Sequence, residues 1–125
     1  MALAAELGVQ DRLSFDLDPD DNAVAELYAT AACAVFPSRL EGYGIGPLEA
    51  RKASCPVAAS DIPAHCETLG EGAAMFGVDD AQGCARAIMD ALKGPAPAPG
   101  LFVPRTWDQC ADAWASGLTQ AASAG

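Results

Sequence analysis

The order of segments around residues 35–61 limits this chain most: an apolar strand, a glycine-rich turn, a helix and a second apolar strand follow one another directly. Val35-Phe36-Pro37-Ser38 ends the first strand, and Pro56-Val57-Ala58-Ala59-Ser60-Asp61 supplies the second. Strands joined through a helix pair in parallel. In an open parallel sheet, ligands bind beyond the carboxyl ends of the strands, where Ser38 to Gly46 and Ser60-Asp61 fall. Pro47 suits the first helical position, and Gly42, Gly44 and Gly46 can take backbone angles that leave amides free at the helix start. Such a terminus attracts phosphate. Glu49, about two residues into the helix, is then placed to accept hydrogen bonds from a sugar diol, while Glu41 lies on the other side of the turn. Taken alone, the pair also suits a solvated loop acid and a first-turn helix acid, with the glycines as ordinary turn formers.

The neighbouring segments add an ordered pattern. It begins at Leu7-Gly8-Val9-Gln10-Asp11-Arg12-Leu13-Ser14-Phe15 and continues through Ala25-Glu26-Leu27-Tyr28-Ala29-Thr30-Ala31. It then passes through Pro37-Ser38-Arg39-Leu40-Glu41-Gly42-Tyr43-Gly44, Glu49 and Pro56 to Pro63, resumes at Asp79-Asp80 and closes at Thr106-Trp107. Over nearly all its length the chain resembles the C-terminal, donor-binding domain of retaining GT-B glycosyltransferases, the family 4 or group 1 glycosyltransferases. The resemblance implies an α/β fold with a partial Rossmann-like parallel sheet and flanking helices. It also implies a nucleoside diphosphate-sugar donor, an acceptor of unknown identity, and transfer with retention by front-face displacement. In that family the second glutamate binds the ribose hydroxyls, and the first approaches the transferred sugar. Amides of the intervening turn contact sugar and diphosphate. Carried over, these roles fall on Glu49, on Glu41, and on Gly42, Tyr43, Gly44 and Ile45. Glu41 is the catalytic candidate, as an orienting and charge-stabilising group rather than a general base. No metal or cofactor is implied.

The sequence departs from the family in two respects. The family's opening strand, with its glycine and basic diphosphate-gripping segment, has no counterpart before Met1-Ala2-Leu3, and the acceptor lobe is absent. Arg51, Lys52 and Ser54 stand where apolar, small and glycine residues are usual. An N-terminally truncated enzyme, inactive as an isolated chain, is therefore expected. Its unprotected sheet edge favours the missing lobe or self-association as partner. A noncatalytic nucleotide-sugar-binding or subunit-interaction module is the alternative. The division expected is a partial nucleotide-sugar-binding domain over 1–93, a Pro/Gly-rich linker over 94–105 and a C-terminal helix over 106–125.

The remaining patterns describe scaffold. Val24, Leu27, Tyr28 and Ala31 recur at helical spacing after the acidic run Asp16, Asp18, Asp20, Asp21, which reads as a loop and helix cap. Cys33 to Phe36 predicts a buried strand, and Ala73 to Phe76 another. Ala81, Cys84, Ala85, Ile88 and Leu92 give one apolar face on a helix capped by Asp79 or Asp80. Thr106 and Gln109 have capping-box spacing ahead of Trp107, Cys110, Ala111, Trp114 and Leu118, which read as a core-packing stripe or an interaction surface. The resemblance, in which this last helix crosses onto the N-terminal domain, implies a face left exposed or repacked in this chain.

Seventeen acids against seven bases give a formal charge of −10, which opposes nucleic acid and anionic lipid. Arg39, Arg51 and Lys52 flank the glycine turn as a small basic patch, readable equally as diphosphate attraction or as exposed charge. No apolar run approaches the length of about 20 residues that spans a membrane, and no signal peptide is evident. Cysteines 33, 55, 66, 84 and 110 are odd in number and lack metal spacing, which favours reduced thiols in a cytoplasmic protein. His65-Cys66-Glu67 reads as a catalytic cluster only weakly, because adjacent residues project in different directions; by the resemblance, the lone histidine lies near the family's strand-end loop and at most touches ligand.

Overall fold

A computed structural model describes residues 2–94 and 106–123. Six α-helices and three strands follow one another along the described chain: α1 Ala2–Glu6, α2 Asp21–Thr30, β1 Ala34–Phe36, α3 Ile45–Lys52, β2 Val57–Ser60, α4 Pro63–Leu69, β3 Ala74–Phe76, α5 Ala81–Lys93 and α6 Trp107–Ser123. The strands form one parallel sheet in the order β1-β2-β3, with Ala34 opposite Val57 and Ala58 opposite Ala74. This is the expected partial Rossmann-like α/β fold. Each parallel step is made through a helix, α3 and then α4, so the loops at the carboxyl ends of the strands share one edge of the sheet.

Both faces of β2 are covered, and all four of its residues are buried. On one face Val57 and Ala59 join Ala34, Leu48, Ala50, Cys55 and Leu69, with Tyr28, Phe36 and Met75 packed against them. On the other, Ala58 and Phe76 meet Ala87, Cys84 and Ile88 of α5. The buried face of α5 is therefore Cys84, Ala87 and Ile88, not the expected stripe through Ala85 and Leu92, which are exposed. Alanines at 58 and 87 bring helix and sheet close together, and that contact rather than the largest apolar side chains sets the helix's rotation.

Local signals end the elements as expected. The Asp20 carboxylate accepts from the Ala23 amide at 2.8 Å, and the Asp80 carboxylate from Gly83 at 2.8 Å. Thr106 and Gln109 form the reciprocal capping box, at 2.9 and 3.2 Å. Three expectations change. The first strand is confined to Ala34–Phe36, and its Val35 is 37% exposed. Leu27 is exposed, while Val24 and Tyr28 turn inward. Of the readings open for the α6 stripe, core packing fails and exposure holds, for Trp107, Trp114 and Leu118 are exposed and none of that helix is buried. The expected linker lies, apart from Gly94, outside the described residues; Gly94 caps α5.

Candidate functional site

Three loops gather at the carboxyl edge of the sheet: Pro37 to Gly44 after β1, Asp61-Ile62 after β2, and Gly77 to Asp80 after β3. The first carries the glutamate motif. Gly44 is the N-cap of α3 with φ 84° and ψ 56°, left-handed angles that a side-chain-bearing residue adopts only at a cost. A Cβ there would also come within 3.3 Å of the His65 ring. Helix α3 starts at Ile45, so Pro47 is its third residue rather than its first. It still lies in the first turn, where backbone N–H groups have no acceptor within the helix and proline costs no bond.

Glu41 is half-buried, and its carboxylate accepts a 2.6 Å hydrogen bond from the Ser38 hydroxyl. The Ser60 hydroxyl, at the end of β2, donates to the Ser38 carbonyl at 2.5 Å. Ser60 also meets the imidazole of His65, whose Nδ1 lies 2.9 Å from its carbonyl oxygen. Gly42 and Tyr43 are exposed, Gly44 is buried against His65 and Thr68, and Ile45 is exposed. Glu49 is the fifth residue of α3, two residues further along than expected, because the helix begins before the proline. It is exposed and lines a groove of about 550 Å³ between α2 and α3 with Asp21, Val24, Ala25, Tyr28 and Lys52. Burial first and the Glu49 carboxylate second raise the Tyr28 phenol above its ordinary pKa. Glu41 thus lies in the loop before α3, and Glu49 on α3 itself beside the groove.

The basic patch separates. Arg39 reaches across the strand ends to Asp79, with Nη2 2.7 Å from Oδ1, and the pair is exposed. Arg51 points away from the turn and donates to the Leu69 carbonyl at the end of α4, at 2.6 Å. Lys52 stays beside Glu49. Among the described residues, no group of three or more histidine, cysteine, aspartate and glutamate side chains is gathered for a metal ion. No described helix is long and apolar enough to cross a membrane.

Sequence reasoning placed the two glutamates and the turn but missed what holds Glu41. The supporting residues are Ser38, Ser60 and His65, with Tyr28 beside Glu49. Ser38 at Glu41 minus three was an available signal, since short polar side chains bond locally at such spacing. The tie from Ser60 back to Ser38 was not.

The model of the family described as "Glycosyl transferases group 1" matches residues 1–102. The chain belongs to that family. Curated relatives of this glycosyltransferase-family chain include the O-antigen chain mannosyltransferase RfbU of Salmonella typhimurium, 36% identical over 86 residues, covering 69% of this chain and 24% of the relative. The lipopolysaccharide core biosynthesis mannosyltransferase LpcC of Rhizobium leguminosarum is 34% identical over 91 residues, 71% of this chain and 25% of the relative. The D-inositol 3-phosphate glycosyltransferase of Nocardia farcinica is 31% identical over 71 residues, 57% and 16% respectively. The match to the first two spans about a quarter of their length. No solved structure matches the chain significantly.

Proposed function

We propose that this chain carries the donor-binding side of a retaining glycosyltransferase site, taking a nucleoside diphosphate-sugar. The observation that supports this best is the pairing of Glu41 and Glu49 across the left-handed N-cap of α3, at the carboxyl edge of a parallel sheet. Glu49 binds the ribose hydroxyls, with the groove beside Tyr28 as the space for the nucleoside. The amides from Gly42 to Ile45 meet diphosphate and sugar, as free N–H groups at a helix start suit an anion. Glu41, held by Ser38, orients the sugar hydroxyls and stabilises charge that develops on the ring. In the front-face reaction the bond from the anomeric carbon to the leaving phosphate breaks as the acceptor oxygen bonds that carbon on the same side. The acceptor's proton passes to the phosphate, so no protein base is required. Mannose is the first sugar to try, because the printed names of the relatives above include two mannosyltransferases.

A calorimetric and NMR screen of GDP, UDP and ADP with their hexose conjugates tests the reading. One nucleotide class is expected to bind and to shift the amides of Gly42 to Ile45 and Glu49, without sugar transfer by the chain alone, since acceptor positioning supplies much of the rate. Absence of binding by every probe, or shifts confined to α5, would contradict it.

A further inference from the structure

We propose that His65 is a positioning residue for Glu41, acting through hydrogen bonds beneath the glycine turn, and that it thereby sets affinity for the sugar part of the donor. This rests on the reading of Glu41 as the sugar-facing carboxylate. His65 is 0% exposed, although it belongs to a short helix at the sheet's edge. Its ring forms the floor under Gly44, where an added Cβ would lie 3.3 Å from Cδ2. A carbonyl can only accept, so the 2.9 Å contact with the Ser60 carbonyl puts the proton on Nδ1. Among the described residues Nε2 has no hydrogen-bond partner, and it is buried. From Ser60 the path continues through its hydroxyl to the Ser38 carbonyl, and through the Ser38 hydroxyl to Glu41. One imidazole thus supports the N-cap of α3 by contact and the Glu41 loop by hydrogen bonds. The free nucleotide, held by Glu49 at the groove between α2 and α3, is outside this path.

The chain has one histidine, so its ring nitrogen spectrum is unambiguous. The Nδ1–H tautomer is expected; a proton on Nε2 alone overturns the proposal. His65→Phe keeps a ring under Gly44 but removes the donor, whereas His65→Asn keeps a donor near the Nδ1 position. Without ligand, the Phe variant should quicken amide exchange from Ser38 to Gly44 and leave α5 unchanged, and Asn should restore protection. Unchanged exchange in the Phe variant overturns the proposal whether or not a ligand binds. With GDP-mannose and GDP as probes, the Phe variant should lose about three- to ten-fold in affinity for the first and nothing for the second, the scale of one hydrogen bond. Equal losses for both would mean a merely structural role. Glu41→Gln separates the two levels. If it weakens GDP-mannose while His65→Phe does not, only the relay fails; if Glu41→Gln has no effect, the reading of Glu41 fails and the proposal with it.

Discussion

Gly44 is the residue on which most of the local geometry turns. It ends the loop, starts α3 and leaves room for the His65 ring. Gly44→Ala should lower stability by about 1 to 2 kcal/mol, the cost of left-handed angles for a residue with a Cβ. Crowding of His65 adds to this, and urea unfolding of the two proteins is the check; an unchanged midpoint would mean that the turn relaxes freely. The caps at Asp20, Asp80 and Thr106 were legible in the sequence because each joins groups three residues apart. His65 was not, since its contacts come from Gly44 and from a strand end, and their meeting depends on how β2 and α3 pack.

At the scale of elements, α3 and α4 are fastened by Arg51. Its guanidinium donates to Leu69, the last residue of α4, where a helix end favours a cation. It also fills the space beside Gly72, so that a Cβ there would clash with the guanidinium. Arg51→Ala should destabilise the fold by about 1 to 3 kcal/mol, as expected when a partly buried carbonyl loses a charged donor. Nucleotide affinity should stay within about two-fold, because the side chain faces away from the turn. A ten-fold loss of affinity in a folded variant would return Arg51 to the ligand. Sequence alone put Arg51 beside the turn because neighbours along the chain were counted, whereas helical rotation sends residues 49 and 51 in different directions. The same limit moved the buried face of α5: an apolar pattern does not tell which of its alanines meets the sheet, and here it is Ala87.

For the whole molecule, strand, turn, helix and strand were legible as a unit because parallel topology forces that order, and the sheet and its loop edge followed. The fate of α6 was not. A stripe of tryptophans marks an apolar face without naming what covers it, and in the structure that face is exposed. The central claim is that one α/β unit divides a donor between two carboxylates, nucleoside to Glu49 and sugar to Glu41. Titration calorimetry of GDP and GDP-mannose, and of UDP and UDP-glucose, into the unsubstituted chain, Glu49→Gln and Glu41→Gln tests it most directly. Glu49→Gln should weaken the free nucleotide about ten- to one hundred-fold, the scale of a charged hydrogen bond to a diol. Glu41→Gln should leave the free nucleotide almost unaffected and weaken the nucleotide-sugar. If both variants stay folded and both affinities are unchanged in each, the glutamates are only loop and helix acids, and the donor site is not where this account puts it.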